Sequence, residues 1–136
     1  MWGDSRLGNV IWRDYEPVVV CDWEAAALGP AETDVGWWLM FDRMSFDDLG
    51  AQRMEGFPTR EEMVRIYEEV SGREVRDPHY WEVFATMRFC YVMIGLSDRM
   101  VDAGLVPAAM NMSVANQVTD ALARLMGIEN PHPAAY

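Results

Sequence analysis

The chain reads as a mainly α domain with one small β-hairpin near its start. Two observations predict this. Two short β-prone runs, residues 10–12 (VIW) and 18–21 (VVVC), lie close together with a polar turn between them. After them, apolar residues recur at helical spacing between Gly and Pro breakers.

In order along the chain, RDYEP (residues 13–17) is the expected hairpin turn, closed by Pro17. DWEAAALGPAETD (22–34) reads as a loop or short helical turn broken at Gly29 and Pro30. Thr33 or Asp34 is placed to cap the next segment, VGWWLMFDRM, dense enough in apolar residues for a buried helix. A polar stretch, SFDDLGAQRMEGFP, follows. Thr59 with Glu62 three residues on is a capping-box pattern. The helix it starts carries Met63, Ile66, Tyr67 and Val70 on one face and stops at Gly72. Asp77-Pro78 restarts a long helix to about Ala103, ended by Gly104, with Val83, Phe84, Met87, Cys90, Tyr91 and Ile94 as its stripe. The last helix spans about 113–126, with Val114, Val118, Leu122 and Leu125 inward. Residues 127–136 form a tail.

At 136 residues this is one domain's worth of chain, and 51% apolar residues suffice for a core. The organisation expected is a single domain, 1–136: loop and hairpin over 1–34, a helical part over 35–126, and the tail. A net charge of -11 argues against nucleic acid and anionic membrane surfaces as partners. No uninterrupted apolar run of about 18 residues predicts a membrane span, and the start lacks a secretory pattern, so a cytoplasmic setting is expected. Cys21 and Cys90 sit in apolar contexts and read as buried free thiols. His79 and His132 stand beside prolines and read as loop or helix-start residues. The Met residues, Trp37 and Trp38 read as core. All eleven basic residues are Arg; the chain has no lysine.

The chemistry is concentrated in WGDSRLGN and DWE. Asp4 is followed, after four residues, by Asn9; a strand, a turn and a second strand then lead to Asp22. Phosphoryl transfer needs a carboxylate to orient the attacking hydroxyl, and oxygen ligands for the Mg²⁺ that bridges the nucleotide phosphates. A hairpin between Asn9 and Asp22 would bring two positions far apart in sequence side by side.

These stretches resemble the C-terminal lobe of the aminoglycoside phosphotransferase and choline kinase-like family, a protein-kinase-like fold. Its pattern is H-G-D-x-x-x-x-N, a hairpin, D-W-E or D-x-G, and then an aspartate opening a helix, here G-P-A-E-T-D-V-G-W. The resemblance implies ATP- and Mg²⁺-dependent transfer to a hydroxyl of a small molecule. It implies that Asp4 is the catalytic aspartate, that Asn9 and Asp22 are the metal ligands, and that Asp34 is a buried aspartate steadying the loop. Arg6, inside the loop, either contacts phosphate as part of cofactor binding or covers the loop. Glu24 reads as solvated or capping.

Two departures matter. Trp2 replaces the family's loop-propping His; it can fill the space and support the loop but cannot form the same hydrogen bonds. The Gly-rich loop and the lysine of an N-lobe are missing. Because motif residues begin at position 2, the expectation is an isolated, truncated C-terminal lobe, N-lobe absent, inactive alone. The alternative is a non-catalytic helical module that binds a partner, or self-associates, through the surface where an N-lobe docks. The acceptor is not readable from the helices after residue 40.

Overall fold

The computed structural model describes residues 1–134. It is mostly helical with one two-stranded antiparallel hairpin. The elements are β1 (Val10–Arg13), β2 (Glu16–Val20), α1 (Glu32–Arg43), α2 (Arg60–Ser71), α3 (Pro78–Asp102) and α4 (Gln117–Met126). The chain divides into two compact units, Met1–Glu82 and Val83 onward.

In the first unit, β1 and β2 pair from Val10 opposite Val20 to Arg13 opposite Glu16, with a register shift between Ile11 and Trp12. The turn is only Asp14 and Tyr15, with φ of 51° and 66°. Two successive left-handed residues give the tight turn whose twist matches the strands. Pro17 therefore does not close the turn, as expected; it lies in β2 opposite Trp12. A two-stranded ribbon tolerates it, because a proline without an N–H fits an edge.

Helix α1 starts at Glu32, earlier than expected, and no side chain caps it. Thr33 and Asp34 lie in its first turn, and the Asp34 carboxylate is used elsewhere. The polar stretch after α1 is partly helical: Met44–Asp48 continues α1 as a wider π-type turn. Gly36 lets α1 approach α3 closely, since a Cβ there would collide with the Trp81 carbonyl. Val35, Leu39 and Val75 form the core of this unit, with Val64, Tyr67 and Trp81 packed against it.

Helix α2 begins at the expected capping box: Thr59 accepts from the Glu62 backbone N–H, and Glu62 accepts from the Thr59 N–H. Gly72 ends it with a left-handed φ of 65°. Its inner face differs from expectation. Val64 and Tyr67 pack on the core, whereas Ile66 and Val70 are exposed, Val70 at 84%. Charged residues are also drawn inward around this core. Arg60 reaches the Leu39 carbonyl at 2.7 Å and the buried Glu82 carboxylate, which also takes Arg43 Nε at 2.6 Å. The buried Asp42 binds both terminal nitrogens of Arg53, at 2.9 and 2.8 Å.

Helix α3 ends near Ala103 and Gly104, as the sequence predicts. Along it the buried positions are Glu82, Ala85, Thr86 and Ser97, while Met87, Tyr91 and Ile94 of the expected stripe are exposed. Helix α4 starts at Gln117 rather than 113. Asn116 caps it, accepting from the N–H groups of Val118 and Thr119. Val118, Ala121 and Ala123 are buried, and Val114 precedes the helix and is exposed. Both cysteines are free, as expected, but half-buried rather than buried. Among the described residues no helix is long and apolar enough to cross a membrane.

Candidate functional site

The site is built on the loop from Trp2 to Asn9, which is anchored at three points. The first is Gly3, whose φ of +94° is left-handed and whose missing Cβ would collide with the Ala25 carbonyl; only glycine fits there without strain. The second is Asp34 in the first turn of α1. Its carboxylate accepts the backbone N–H groups of Trp2 and Gly3, each at 2.7 Å, and its carbonyl accepts Ser5 Oγ at 2.7 Å. A carboxylate in a helix's first turn is also favoured by the helix dipole. The third is Trp2. Its indole Nε1 donates to the carbonyls of Cys21 at 2.9 Å and Asp22 at 3.1 Å, and its ring lies 5.8 Å from that of Trp23. Beyond filling the space, this indole stitches the loop to the end of the hairpin.

Asp4 is the most heavily bonded side chain of the loop. Trp37 Nε1 donates to its Oδ1 at 2.7 Å, Asn9 Nδ2 to its Oδ2 at 2.6 Å, and Arg6 Nε lies 3.2 Å from both oxygens. Three donors from different parts of the chain thus hold one carboxylate in a fixed orientation.

Asn9 is buried at the end of a short 3₁₀ turn, Leu7–Asn9. Its Nδ2 also donates to the Asp4 carbonyl at 3.1 Å. Both partners are acceptors, so the amide nitrogen must face Asp4 and Oδ1 is turned away from it. The Asn9 carbonyl accepts the Cys21 N–H at 2.8 Å. That backbone bond sets Asn9 beside the end of β2, one residue before Asp22. Asp22 has a left-handed φ of 60° and is exposed. Its carboxylate is not among the partners of Asp4, Arg6 or Asn9. The structure thus joins Asp4, Arg6 and Asn9 through side chains, ties Asp34 and Trp2 to the loop, and brings Asp22 alongside through the backbone.

Asn9 and Asp22 each carry a side-chain oxygen, the atom type that a hard divalent cation takes. Among the described residues no group of three or more His, Cys, Asp and Glu side chains is arranged as a metal cluster, so a cation here would rest on this amide and carboxylate.

No family model matches the chain. It is similar to stress response kinase A of Escherichia coli (strain K12), 32% identical over 100 residues, which is 74% of this chain and 27% of that protein. It is also similar to serine/threonine protein kinase RdoA of Salmonella typhimurium (strain LT2), 33% identical over 100 residues with the same shares. The relationship is kinase-like. The chain spans about a quarter of the length of the curated relatives it matches.

Trp37 belongs to this site although its sequence context marks it, with Trp38, only as core; it is indeed buried. Nothing local marks which of the two reaches back 33 residues to Asp4. Gly3 was legible only as part of a motif; its close approach to Ala25 depends on the folded loop.

Proposed function

We propose that this chain carries the catalytic loop and metal-holding residues of a phosphotransferase that moves a phosphoryl group from ATP to a hydroxyl of a small molecule. The observation that carries the reading is the Asp4 carboxylate fixed by Asn9, Trp37 and Arg6. In a loose phosphoryl-transfer transition state the protein mainly positions and neutralises, and a pre-oriented carboxylate is what an incoming hydroxyl needs. Asp4 holds that hydroxyl and accepts its proton. Asn9 Oδ1 and Asp22 would hold Mg²⁺, which when bound neutralises charge on the nucleotide phosphates. Arg6, on Asp4 and 42% exposed, would turn to a phosphate oxygen. Asp34 and Trp2 keep the loop in register with the hairpin.

In this reading the chain is a single C-terminal lobe of a kinase-like fold of the aminoglycoside phosphotransferase type. The phosphate-clamping lysine comes from outside these 136 residues, which contain none. The expected result is weak nucleotide binding that depends on Mg²⁺. Titrating ATP into the chain with and without Mg²⁺ tests this. Asp22→Ala and Asn9→Ala should each weaken the Mg²⁺-dependent component about tenfold or more, equal to about 1.4 kcal/mol. A titration with no Mg²⁺ dependence in the unmodified chain would overturn the reading.

One observation favours a second reading, a non-catalytic module that binds a partner. The hairpin exposes Ile11, Trp12, Val18 and Val19 together, with Tyr15 at 98% at its tip. Apolar side chains left exposed on one ribbon favour an interaction site. Self-association by sedimentation, without any Mg²⁺-dependent nucleotide binding, would decide for this second reading.

A further inference from the structure

We infer that the acceptor alcohol enters a hollow beside the catalytic loop, and that its walls select an uncharged aryl or alkyl alcohol rather than an amine or a polyol. The inference rests on the phosphotransfer reading above.

The hollow, about 310 Å³, opens between Arg6, Leu7 and Gly8 of the loop and the end of α1 with its π-type extension. That volume is at the small end for ligand sites and suits a one- or two-ring molecule. Two residues connect it to Asp4. Arg6, which binds the Asp4 carboxylate, lines the hollow and lies over the ring of Phe41 at 5.9 Å. Phe41, another wall residue, meets edge-on the ring of Trp37, whose indole N–H holds Asp4. The hollow is therefore one side chain away from the carboxylate that would orient the hydroxyl.

Its chemistry follows from which groups are already engaged. Leu7, Trp38, Phe41, Phe46, Met54 and Phe57 supply apolar wall. Four aromatic rings could suggest a cage for an ammonium group, but guanidinium groups already occupy that role. Arg53 lies 4.0 Å from the centroid of Phe46 and 5.6 Å from that of Phe57, and Arg6 covers Phe41. A cationic ligand would meet those two positive charges. Asp42, the carboxylate at the wall, accepts from Arg53 through both oxygens, and its charge is already balanced by that guanidinium. A polyol would bury hydroxyls against hydrocarbon with few partners, an unfavourable exchange for water. The polar capacity left is small: the Ser45 side chain at the wall, and Trp38, whose indole N–H is buried with no hydrogen-bond partner. One oxygen on an otherwise apolar molecule matches that inventory.

Saturation-transfer NMR and titration of the chain with 2-phenylethanol, 2-naphthylethanol, choline, myo-inositol and a serine peptide with a neighbouring phenylalanine test this. The aryl alcohols should bind at least about tenfold tighter than choline or inositol. Ser45→Trp and Met54→Trp, which fill the hollow from two sides, should each remove that binding with far-UV circular dichroism unchanged; if one fails to fold, the other decides. Choline or inositol binding as tightly as the aryl alcohols, peptide binding without free-alcohol binding, or retention of alcohol binding in a folded filled variant would each overturn the inference. Mg²⁺-dependent ATP binding is measured on the same samples. Absence of alcohol binding in the unmodified chain, with Mg²⁺-dependent ATP binding intact, refutes the hollow and leaves the phosphotransfer reading standing. Absence of any Mg²⁺-dependent ATP binding with alcohol binding intact removes that reading, and the acceptor role with it.

Discussion

Asp4 shows how much a single carboxylate can demand of a fold. Its partners come from the residue two along, from the end of the same loop and from the middle of α1. Trp37→Phe keeps a ring against Phe41 while removing the indole donor together with part of a buried ring. A hydrogen bond to a charged acceptor is worth about 1.5–3 kcal/mol and the lost ring atoms add to it, so urea unfolding should show a loss of at least that size; an unchanged midpoint would mean that the bond does not hold Asp4. Gly3 is a sharper test of loop position. Gly3→Ala combines a left-handed backbone with a collision at the Ala25 carbonyl. It should destabilise by on the order of 2 kcal/mol or more, and a neutral result would show that the loop does not pack there.

At the scale of elements, helix α2 is held at its start by a reciprocal pair. Thr59→Ala removes one half of the box and should cost about 0.5–1 kcal/mol in thermal or urea unfolding. The other half carries a pH signature. The Thr59 backbone N–H, followed by its side chain and by Arg65, holds the Glu62 carboxyl below the usual carboxylate range. A carboxyl pKa that is lower in the folded than in the unfolded state adds stability above the unfolded value, and this is lost as pH falls through the folded one. Stability should therefore drop on acidification through about pH 5 to 2. Glu62→Gln should flatten part of that slope; an identical slope in the variant would remove Glu62 from the account. The hairpin obeys a similar local logic, with Asp14 and Tyr15 both left-handed at its tip.

Across the first unit as a whole, stability depends on how a strongly acidic chain buries two of its carboxylates. Glu82 and Asp42 are almost fully enclosed, and three arginines from α1, α2 and the loop between them satisfy both. The hydrogen bond that Arg43 donates to Glu82 is the largest influence on Arg43 and drives its pKa further up. Burying ions costs desolvation, so such a network adds modest net stability when complete but is severely damaged when one member is removed. Glu82→Ala should destabilise by up to about 3 kcal/mol, because it takes the nearest carboxylate from Arg43 and Arg60 and leaves them only the longer contacts to Asp47 at 3.6 Å and Asp42 at 3.8 Å. Equilibrium unfolding measures this, and a loss below about 1 kcal/mol would show that the pair remains hydrated.

Local signals made much of the architecture readable in advance. The hairpin, the Thr59–Glu62 box and the stops at Gly72 and Gly104 all depend on residues a few positions apart, so their spacing carries the message. The motif Asp4–Asn9 and the later Asp22 and Asp34 could likewise be picked out by spacing and resemblance. Which faces turn inward could not. Ile66, Val70 and Tyr91 look like core by periodicity yet are exposed, while Glu82, Asp42 and Thr86 are buried. Hydrophobic spacing assumes that polar residues stay in water, and it has no means of seeing a carboxylate that an arginine distant in sequence will neutralise. The same limit hid Trp37. An indole nitrogen has one hydrogen bond to give, and its partner, Asp4, lies 33 residues back along the chain. Only folding, which sets α1 against the first loop, brings that donor and that carboxylate to 2.7 Å.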